Sequence, residues 1–210
     1  MLIDGTTAYI MTSNFSRSAL GGYGSSSTYI SNREYDIVDT NAQDVQAVNA
    51  IFQADWNRST AQLNDTNLVV SPVNSRNALT GLINSAHKTL VIENEEMNDP
   101  TIEQALVNAV KRGVQVQVIL PSPSGSSSDS NRAGIDTIKQ GGVQVREDSR
   151  LYIHAKMFVA DGQKAFVGSE NISTQSLDQN RELGIIVADQ SVLLTLQQTF
   201  QKDWGDSHGV

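Results

Sequence analysis

Apolar runs and helical spacings of apolar residues alternate along the chain from position 67 onward. Short apolar or alternating runs such as VQVQVIL at 114–120 are typical of strands, whereas apolar residues three and four positions apart, as in 74–88, are typical of one helix face. The pattern predicts strands at 67–71, 89–93, 114–120, 143–147, 152–160, 165–169 and 183–188, and helices at 74–88, 100–112, 132–140 and 191–204.

Cap and turn residues mark the ends of these elements. Asp99 followed by Pro100 is typical of a helix start, because an aspartate caps the first turn and proline fits inside it. Gly113 predicts the end of the same helix. The serine-rich segment 121–131 predicts a long loop, which is either a lid over a cleft or a plain connection. Strands that alternate with helices indicate an α/β protein, in which helices flank a mixed, mostly parallel sheet.

The beginning of the chain resembles its end. DGTTAYIMTSNFS aligns without a gap with DGQKAFVGSENIS, and the pairs NRE and DW both recur later with an unchanged separation. A glycine- and serine-rich insertion around 19–27 distinguishes the first copy. Such self-similarity predicts a duplicated fold. The alignment pairs 4–16 with 161–173, 32–34 with 180–182, and 55–56 with 203–204.

The two copies differ in extent. Residues 1–60 are interpreted as the back portion of a first repeat, and residues 61–210 as a complete second repeat that follows a polar linker. Met1 aligns with Phe158, so the counterparts of the preceding residues would lie upstream of Met1. Three interpretations stay open: one piece of a longer protein with two motifs, a chain that pairs with a second copy of itself, or a catalytically inactive remnant.

The second copy carries a group of polar residues on predicted strands. His154 and Lys156 lie two positions apart, so both side chains point to the same face of a strand. A tight turn at Asp161 then leads into a strand that carries Ser169 and Asn171, again on a common face. Two neighbouring strands are therefore expected to display these side chains around one small volume.

The full spacing reads H-x-K-x4-D-x6-G-S-x-N-x10-E and ends at Glu182. A lone His-x-Lys is most often surface decoration, but the joint pattern has a negligible chance probability in a chain of this size. It resembles the HKD motif of the phospholipase D superfamily, which includes phospholipases D, cardiolipin and phosphatidylserine synthases and nonspecific nucleases. The resemblance covers essentially the whole chain and implies a phospholipase D-like fold, duplicated with the first repeat incomplete. Asp161 is then a structural residue that braces the motif.

The resemblance also implies a mechanism that needs no metal and no cofactor, through a phosphohistidine intermediate. Lys156 supplies a positive charge to the phosphate, and Ser169 and Asn171 supply neutral hydrogen-bond donors. Neutral His154 attacks phosphorus. Glu182 is expected to accept the proton on the far ring nitrogen and so to fix the tautomer of the imidazole.

Members of this superfamily take their general acid from a histidine in a second copy of the motif. The other histidines here are His87, at a predicted helix end, and His208, in a polar tail, and neither lies in such a copy. The first repeat retains only accessory residues, so Asn14 and Glu34 resemble half of a second phosphate site. The matching pairs are Thr12 with Ser169, Asn14 with Asn171, and Glu34 with Glu182.

An acidic segment lies between the second predicted strand of the complete repeat and the helix that follows it. Its carboxylates could form a calcium site or select cationic headgroups near the cleft. The favoured interpretation is simpler, because carboxylates stabilise a helix when they lie near its N-terminus. The residues concerned are Glu93, Glu95, Glu96 and Asp99.

The amino-acid composition limits the kinds of molecule that the chain is expected to bind. The formal net charge is -8 and no Lys/Arg-rich run is present, so phosphate recognition must be local and nucleic acid is a less favoured partner. The chain has no cysteine, which leaves the compartment undecided. Its start lacks the basic region and cleavage pattern of a signal peptide, and a secreted parent protein stays open. No spacing typical of metal ligands is present.

The favoured function is hydrolysis or transfer of a phosphodiester, with a phospholipid as substrate. The front portion of the same protein or a second copy, as a homodimer, is the expected partner. A nonspecific endonuclease with the same mechanism is one alternative. An inactive fragment or phosphate-binding scaffold without the second histidine is another.

Overall fold

A computed structural model describes residues 1–20, 31–123 and 129–210. Most of the insertion around 19–27 and part of the predicted loop 121–131 lie outside these residues. The strands are β1 (Leu2–Ile3), β2 (Thr7–Met11), β3 (Asn32–Arg33), β4 (Asp36–Asp39), β5 (Leu68–Ser71), β6 (Thr89–Asn94), β7 (Gln115–Pro121), β8 (Gln144–Asp148), β9 (Tyr152–Ile153), β10 (Lys156–Ala160), β11 (Lys164–Gly168), β12 (Glu182–Val187) and β13 (His208–Gly209). The helices are α1 (Ala42–Trp56), α2 (Ser75–Ser85), α3 (Pro100–Lys111), α4 (Arg132–Gln140), α5 (Thr174–Asp178) and α6 (Gln190–Asp206).

The main sheet has the strand order β13-β8-β7-β6-β10-β11-β12-β5. Strands β6, β7 and β8 are parallel, and the other neighbours in this sheet are antiparallel. The α/β class and the large mixed sheet are therefore confirmed. Parallel pairing is less prevalent than predicted, because β10 and β11 form a hairpin and β12 returns beside β11 rather than crossing over through a helix.

Helices cover both faces of this sheet. On β10, Phe158 points into the core beneath α2, α3 and α4, whereas Met157 and Val159 point to the opposite face beneath α6. This alternation follows from the period of two along a strand. Asp99 caps α3, since its side chain accepts hydrogen bonds from the backbone N–H groups of Thr101 and Ile102.

The predicted strand 152–160 is interrupted at His154 and Ala155. The two residues of β9 leave the main sheet and pair in parallel with β3, which belongs to the first part of the chain. The remainder, β10, stays between β6 and β11. The interruption places His154 at the junction between residues 1–60 and the main sheet.

A smaller sheet, β1-β2-β4, lies in the first part of the chain. Its strands pair in the same register as the aligned parts of β10, β11 and β12. The turns that join β1 to β2 and β10 to β11 also match, with Asp4 at φ 51° and Asp161 at φ 54°. The division at residue 60 stays a prediction, and these matched registers and turns are consistent with it.

Two arginine–aspartate ion pairs within the described residues cross between the two parts of the chain. Arg33 donates to both carboxylate oxygens of Asp203, at 2.5 and 2.9 Å, and Arg181 donates to Asp55 at 2.9 Å. These residues correspond in the sequence alignment, so the same contact is made reciprocally. The two pairs differ in burial, because the Asp203 side chain is 2% exposed and the Asp55 side chain is 37% exposed.

Candidate active site

His154 is held by both parts of the chain. Its backbone N–H donates to the carbonyl of Arg33 at 3.2 Å, which continues the β3–β9 pairing. Its ring Nδ1 lies 3.0 Å from the carboxylate of Glu34. The amide Nδ2 of Asn14 lies 3.4 Å from the other ring nitrogen, Nε2. Two residues of the first part of the chain therefore bracket an imidazole of the second part.

These two contacts agree on one tautomer. Glu34 is an acceptor, so Nδ1 carries the proton, and Asn14 is a donor, so Nε2 presents its lone pair. An imidazole of this form has a nucleophilic nitrogen at Nε2, on the side away from Glu34. The His154 side chain is 14% exposed, which leaves an approach from solvent.

The Glu34 carboxylate is itself fixed by neighbours. Thr12 Oγ1 donates to it at 2.7 Å and Asn32 Nδ2 at 2.9 Å. Burial alone would raise the pKa of the Glu34 carboxyl, but the hydrogen bonds from His154, Thr12 and Asn32 outweigh burial and lower the pKa below its usual value. Glu34 therefore stays ionised as a partner for the imidazole. We call Thr12, Asn32 and Glu34 the Glu34 node.

The expectation that Glu182 accepts from the His154 ring is wrong in this structure. The Glu182 carboxylate instead accepts from Ser169 Oγ at 2.6 Å, Asn180 Nδ2 at 3.1 Å and Ser176 Oγ at 3.3 Å. The reason is the interruption at His154, because pairing of β9 with β3 turns the ring toward the first part of the chain. The sequence alignment of Glu34 with Glu182 carried the relevant signal, but not which of the two glutamates meets the imidazole.

Ser169, Asn180 and Glu182, here the Glu182 node, reproduce the Glu34 node. In both, a hydroxyl and an amide donate to a glutamate, and the hydroxyl also accepts the backbone N–H of the residue after that glutamate. None of the hydrogen bonds to Glu182 within the described residues comes from a histidine. Ser169 was predicted to bind phosphate, but its hydroxyl is engaged by Glu182.

Lys156 and Asn171 lie on the Nε2 side of the ring. The Lys156 side chain is 3% exposed, and its Nζ donates to the carbonyl of His154 at 2.6 Å and to Glu95 Oε2 at 3.0 Å. Asn171 Nδ2 also donates to Glu95 Oε2, at 3.3 Å. A buried ammonium and an amide donor thus converge near Nε2 of His154, around a carboxylate that the motif did not include.

Glu95 belongs to the acidic segment, whose members separate in the structure. Asp99 caps α3, as the helix interpretation predicts. Glu93 is fully buried in the core, where burial and the nearby Asp203 raise its pKa to about 8. Glu95 enters the site; burial would raise its pKa, but Lys156 and His154 lower it below the usual value.

The remaining predicted residues lie away from the imidazole. Asp161 accepts the backbone N–H groups of His87, Lys88 and Thr89, at 2.7 to 2.9 Å, and so ties the β10–β11 turn to the start of β6. His208 lies on β13, and β8, β7 and β6 separate that strand from β10. His87 precedes the start of β6, whereas Lys156 pairs with Asn94 at the end of that strand.

The surroundings of the site give no sign of a membrane span or a metal centre within the described residues. None of the helices in the described ranges combines the length and apolar character that a membrane crossing requires. Across residues 1–20, 31–123 and 129–210, no group of three or more His, Asp or Glu side chains is arranged to hold a metal ion.

The fold and the site define an α/β protein that presents a histidine and a lysine at the junction of two similar sheets. Residues 79–204 match the family described as "Cardiolipin synthase, PLD-like domain". The chain belongs to this family and hence to the phospholipase D superfamily.

Curated relatives fall in the same group. "Probable cardiolipin synthase YwiE" of Bacillus subtilis (strain 168) is 25% identical over 99% of this chain and 45% of its own length. "Mitochondrial cardiolipin hydrolase" of Xenopus tropicalis is 34% identical over 50% of this chain and 49% of its own length. The chain thus spans about half the length of these relatives.

Solved structures share the fold. The phospholipase D family member Nuc from Salmonella typhimurium has a TM-score of 0.63 at 23% identity, covering 68% of this chain and 95% of Nuc. Phosphatidylserine synthase from Haemophilus influenzae has a TM-score of 0.67 at 14% identity, covering 99% of this chain and 62% of the synthase. At these identities the likeness extends to the fold alone.

Proposed function

We propose that this protein cleaves or transfers phosphodiesters through a phosphohistidine at His154, without a metal ion. The observation that carries the proposal is the position of the His154 ring. Its Nδ1 lies 3.0 Å from the ionised Glu34, and its Nε2 lies 3.5 Å from Glu95 Oε2, the oxygen that accepts from the Lys156 and Asn171 donors. A neutral imidazole with one nitrogen fixed by a carboxylate is an activated nucleophile.

The reaction has two displacements. In the first, the Nε2 lone pair of His154 forms a bond to phosphorus while the bond from phosphorus to the leaving oxygen breaks, and that oxygen takes up a proton. In the second, the oxygen of water or of an alcohol attacks the same phosphorus, loses its proton, and the P–N bond breaks to restore the ring. Lys156 and Asn171 hold the nonbridging oxygens, whose charge grows in both transition states.

The proton for the leaving oxygen requires an acid beside the phosphate. We propose that a second imidazole, with its Nδ1 on Glu182, supplies it. The support is the likeness of the Glu182 node to the Glu34 node, which holds an imidazole in that way. The imidazole would come from another segment of the same protein or from a second copy of this chain.

A phospholipid is the proposed substrate. Two curated relatives are named for cardiolipin, one as a synthase and one as a hydrolase. The net charge of -8 opposes the sequence-independent attraction that long nucleic acids need.

Bis-p-nitrophenyl phosphate tests the chemistry, because its leaving group departs without a proton. We expect turnover that survives EDTA, and a phosphoryl adduct on the peptide containing His154 in rapidly quenched samples. Absence of both turnover and adduct would leave only a phosphate-binding scaffold.

The substrate class needs a second comparison. Vesicles of anionic phospholipid and single-stranded DNA are offered at equal phosphate concentration. Faster cleavage of the lipid supports the proposal, whereas faster cleavage of DNA would assign a nuclease with the same chemistry.

A further inference from the structure

Glu95 stands at the centre of the groups proposed to bind phosphate. Its Oε2 accepts from Lys156 Nζ at 3.0 Å and from Asn171 Nδ2 at 3.3 Å, and it lies 3.5 Å from His154 Nε2. Its Oε1 accepts from the hydroxyl of Tyr152 at 2.9 Å. One carboxylate oxygen therefore contacts the charge, the amide donor and the nucleophilic nitrogen together.

A carboxylate oxygen and a nonbridging phosphate oxygen are stabilised by the same kinds of hydrogen-bond donor. Both are anionic acceptors that form short hydrogen bonds with ammonium and amide donors. Lys156 is almost fully buried, and the oxygen position in contact with Lys156, Asn171 and the ring is taken by Glu95 Oε2. A phosphate oxygen can take that position only when Glu95 Oε2 has left it. The lone pair of His154 Nε2 also cannot reach phosphorus while Glu95 Oε2 faces it.

The backbone at residue 95 is held by hydrogen bonds, whereas the side chain can rotate toward solvent. The Glu95 N–H donates to the carbonyl of Ala155 at 3.1 Å, and its carbonyl accepts from Asn131 Nδ2 at 2.9 Å. Asn131 Oδ1 also holds the N–H of Met97 at 2.9 Å. The Glu95 side chain is 20% exposed against 3% for Lys156, so rotation about its side-chain bonds carries the carboxylate toward solvent without moving the strand.

We propose that Glu95 is the resting ligand of the phosphate position, which a substrate anion must displace, and that residue 95 thereby determines which phosphate esters are accepted. This inference rests on the proposed function, since it assigns the phosphate to Lys156 and Asn171.

The displaced carboxylate stays tethered next to the bound phosphate. A diester carries one negative charge, whereas a monoester or inorganic phosphate carries close to two at pH 8. The second charge is repelled by Glu95 at short range, where screening by water and salt is weak. Glu95 therefore favours phosphodiesters over phosphomonoesters.

The test compares Glu95→Gln with wild type in the binding of two probes, inorganic phosphate and dimethyl phosphate, by calorimetry at pH 8. Loss of the competing charge is expected to tighten the binding of inorganic phosphate about tenfold or more, and that of dimethyl phosphate by a smaller factor. Glu96→Gln is the matched control, because it removes the same charge one residue away and the Glu96 side chain makes no hydrogen bond to Lys156 among the described contacts. The control is expected to change binding less than about twofold.

Glu95→Asp is a second variant for the case in which Glu95→Gln does not fold. It keeps the negative charge but shortens the side chain, so the carboxylate reaches Lys156 less well. An intermediate gain in phosphate affinity is expected. Thermal melts with and without phosphate add a readout independent of calorimetry, because a ligand that binds more tightly raises the melting temperature more at the same concentration. The phosphate-induced rise should be largest in Glu95→Gln.

Each of the following outcomes either supports or overturns the inference about Glu95. Unchanged or weaker phosphate binding by Glu95→Gln and Glu95→Asp, or no measurable binding by any variant, overturns the inference. An equal gain in Glu96→Gln overturns it as well, because the effect is then one of overall charge. Tighter binding in Glu95→Gln without turnover of bis-p-nitrophenyl phosphate by any variant would uphold the Glu95 inference and reject the proposed chemistry. Turnover by wild type without tighter binding in Glu95→Gln would do the reverse.

Discussion

The Glu34 node and the Glu182 node contain the same kinds of group in the same arrangement, yet among the residues that the structure describes only the first holds an imidazole. Each has a hydroxyl, an amide and a carboxylate joined by hydrogen bonds of 2.6 to 3.1 Å. The difference comes from β9, whose pairing with β3 carries His154 to Glu34. The two nodes are alike in their groups, and the strand that brings the histidine determines which of them holds it.

Removal of His154 gives the largest expected effect on this comparison. His154→Ala leaves both nodes in place but takes away the nucleophile, so turnover of bis-p-nitrophenyl phosphate should fall by at least about 10³-fold. His87→Ala is the matched control, since its ring lies outside the site, and it should keep the wild-type rate. Activity retained in His154→Ala would end the phosphohistidine proposal.

The glutamates of the two nodes are compared next. Glu34→Gln presents an amide to the ring and disturbs its tautomer, which should lower kcat by about 10²- to 10⁴-fold. Glu182→Gln in a preparation of this chain alone should cost less than about tenfold, because the described residues place no histidine there. Steady-state kinetics with bis-p-nitrophenyl phosphate separates the two. Equal losses would contradict the asymmetry and indicate that an imidazole from a second copy occupies the Glu182 node.

The two reciprocal ion pairs are expected to contribute unequally to the free energy of unfolding. Arg33→Ala leaves Asp203 buried without its partner and should lower the free energy of unfolding by about 3 kcal/mol. Arg181→Ala breaks the exposed counterpart and should cost less than about 1 kcal/mol. Urea denaturation of the two variants makes the comparison. A larger loss in Arg181→Ala would show that burial does not govern the two contacts.

Glu93 lies near Arg33 and Asp203, and the pH dependence of stability tests this buried group of charges further. Its pKa is about 8 in the folded protein and lies near 4.5 in the unfolded chain. The folded state therefore holds a proton that the unfolded state releases, and this contribution to stability is present below pH 4.5 and lost as the pH rises through 8. Wild type should lose melting temperature between pH 5 and pH 8.5 by more than Glu93→Gln does. Parallel losses would contradict a neutral, buried Glu93.

Much of the architecture was predictable because local signals and packing agree. The period of two on β10 and the Asp99–Pro100 start of α3 each correspond to a described element. The break at His154 was not predictable, since the sequence from 152 to 160 is uniformly compatible with one strand. It depends on a pairing with β3, which lies far away along the chain.

The same long-range pairing limits what the sequence indicates about the site. His154, Lys156 and Asn171 lie close together, as their spacing predicts, whereas Asn14, interpreted as part of a second phosphate site, contacts His154 itself. Their roles stay proposals. The choice of Glu34 over Glu182 depends on which sheet receives β9. Glu95 was named only as one carboxylate of the acidic segment, and the favoured helix interpretation did not place it in the site. A carboxylate among phosphate-binding groups runs against the charge that the chemistry requires.

The break after β9 also links the site to the docking of two segments that lie far apart along the chain. The His154 N–H is bonded to the carbonyl of Arg33, so backbone and side chain of this residue are satisfied only when the segments around positions 33 and 154 have docked. Under the proposed chemistry, docking of these two segments is therefore a condition for presenting the reactive tautomer.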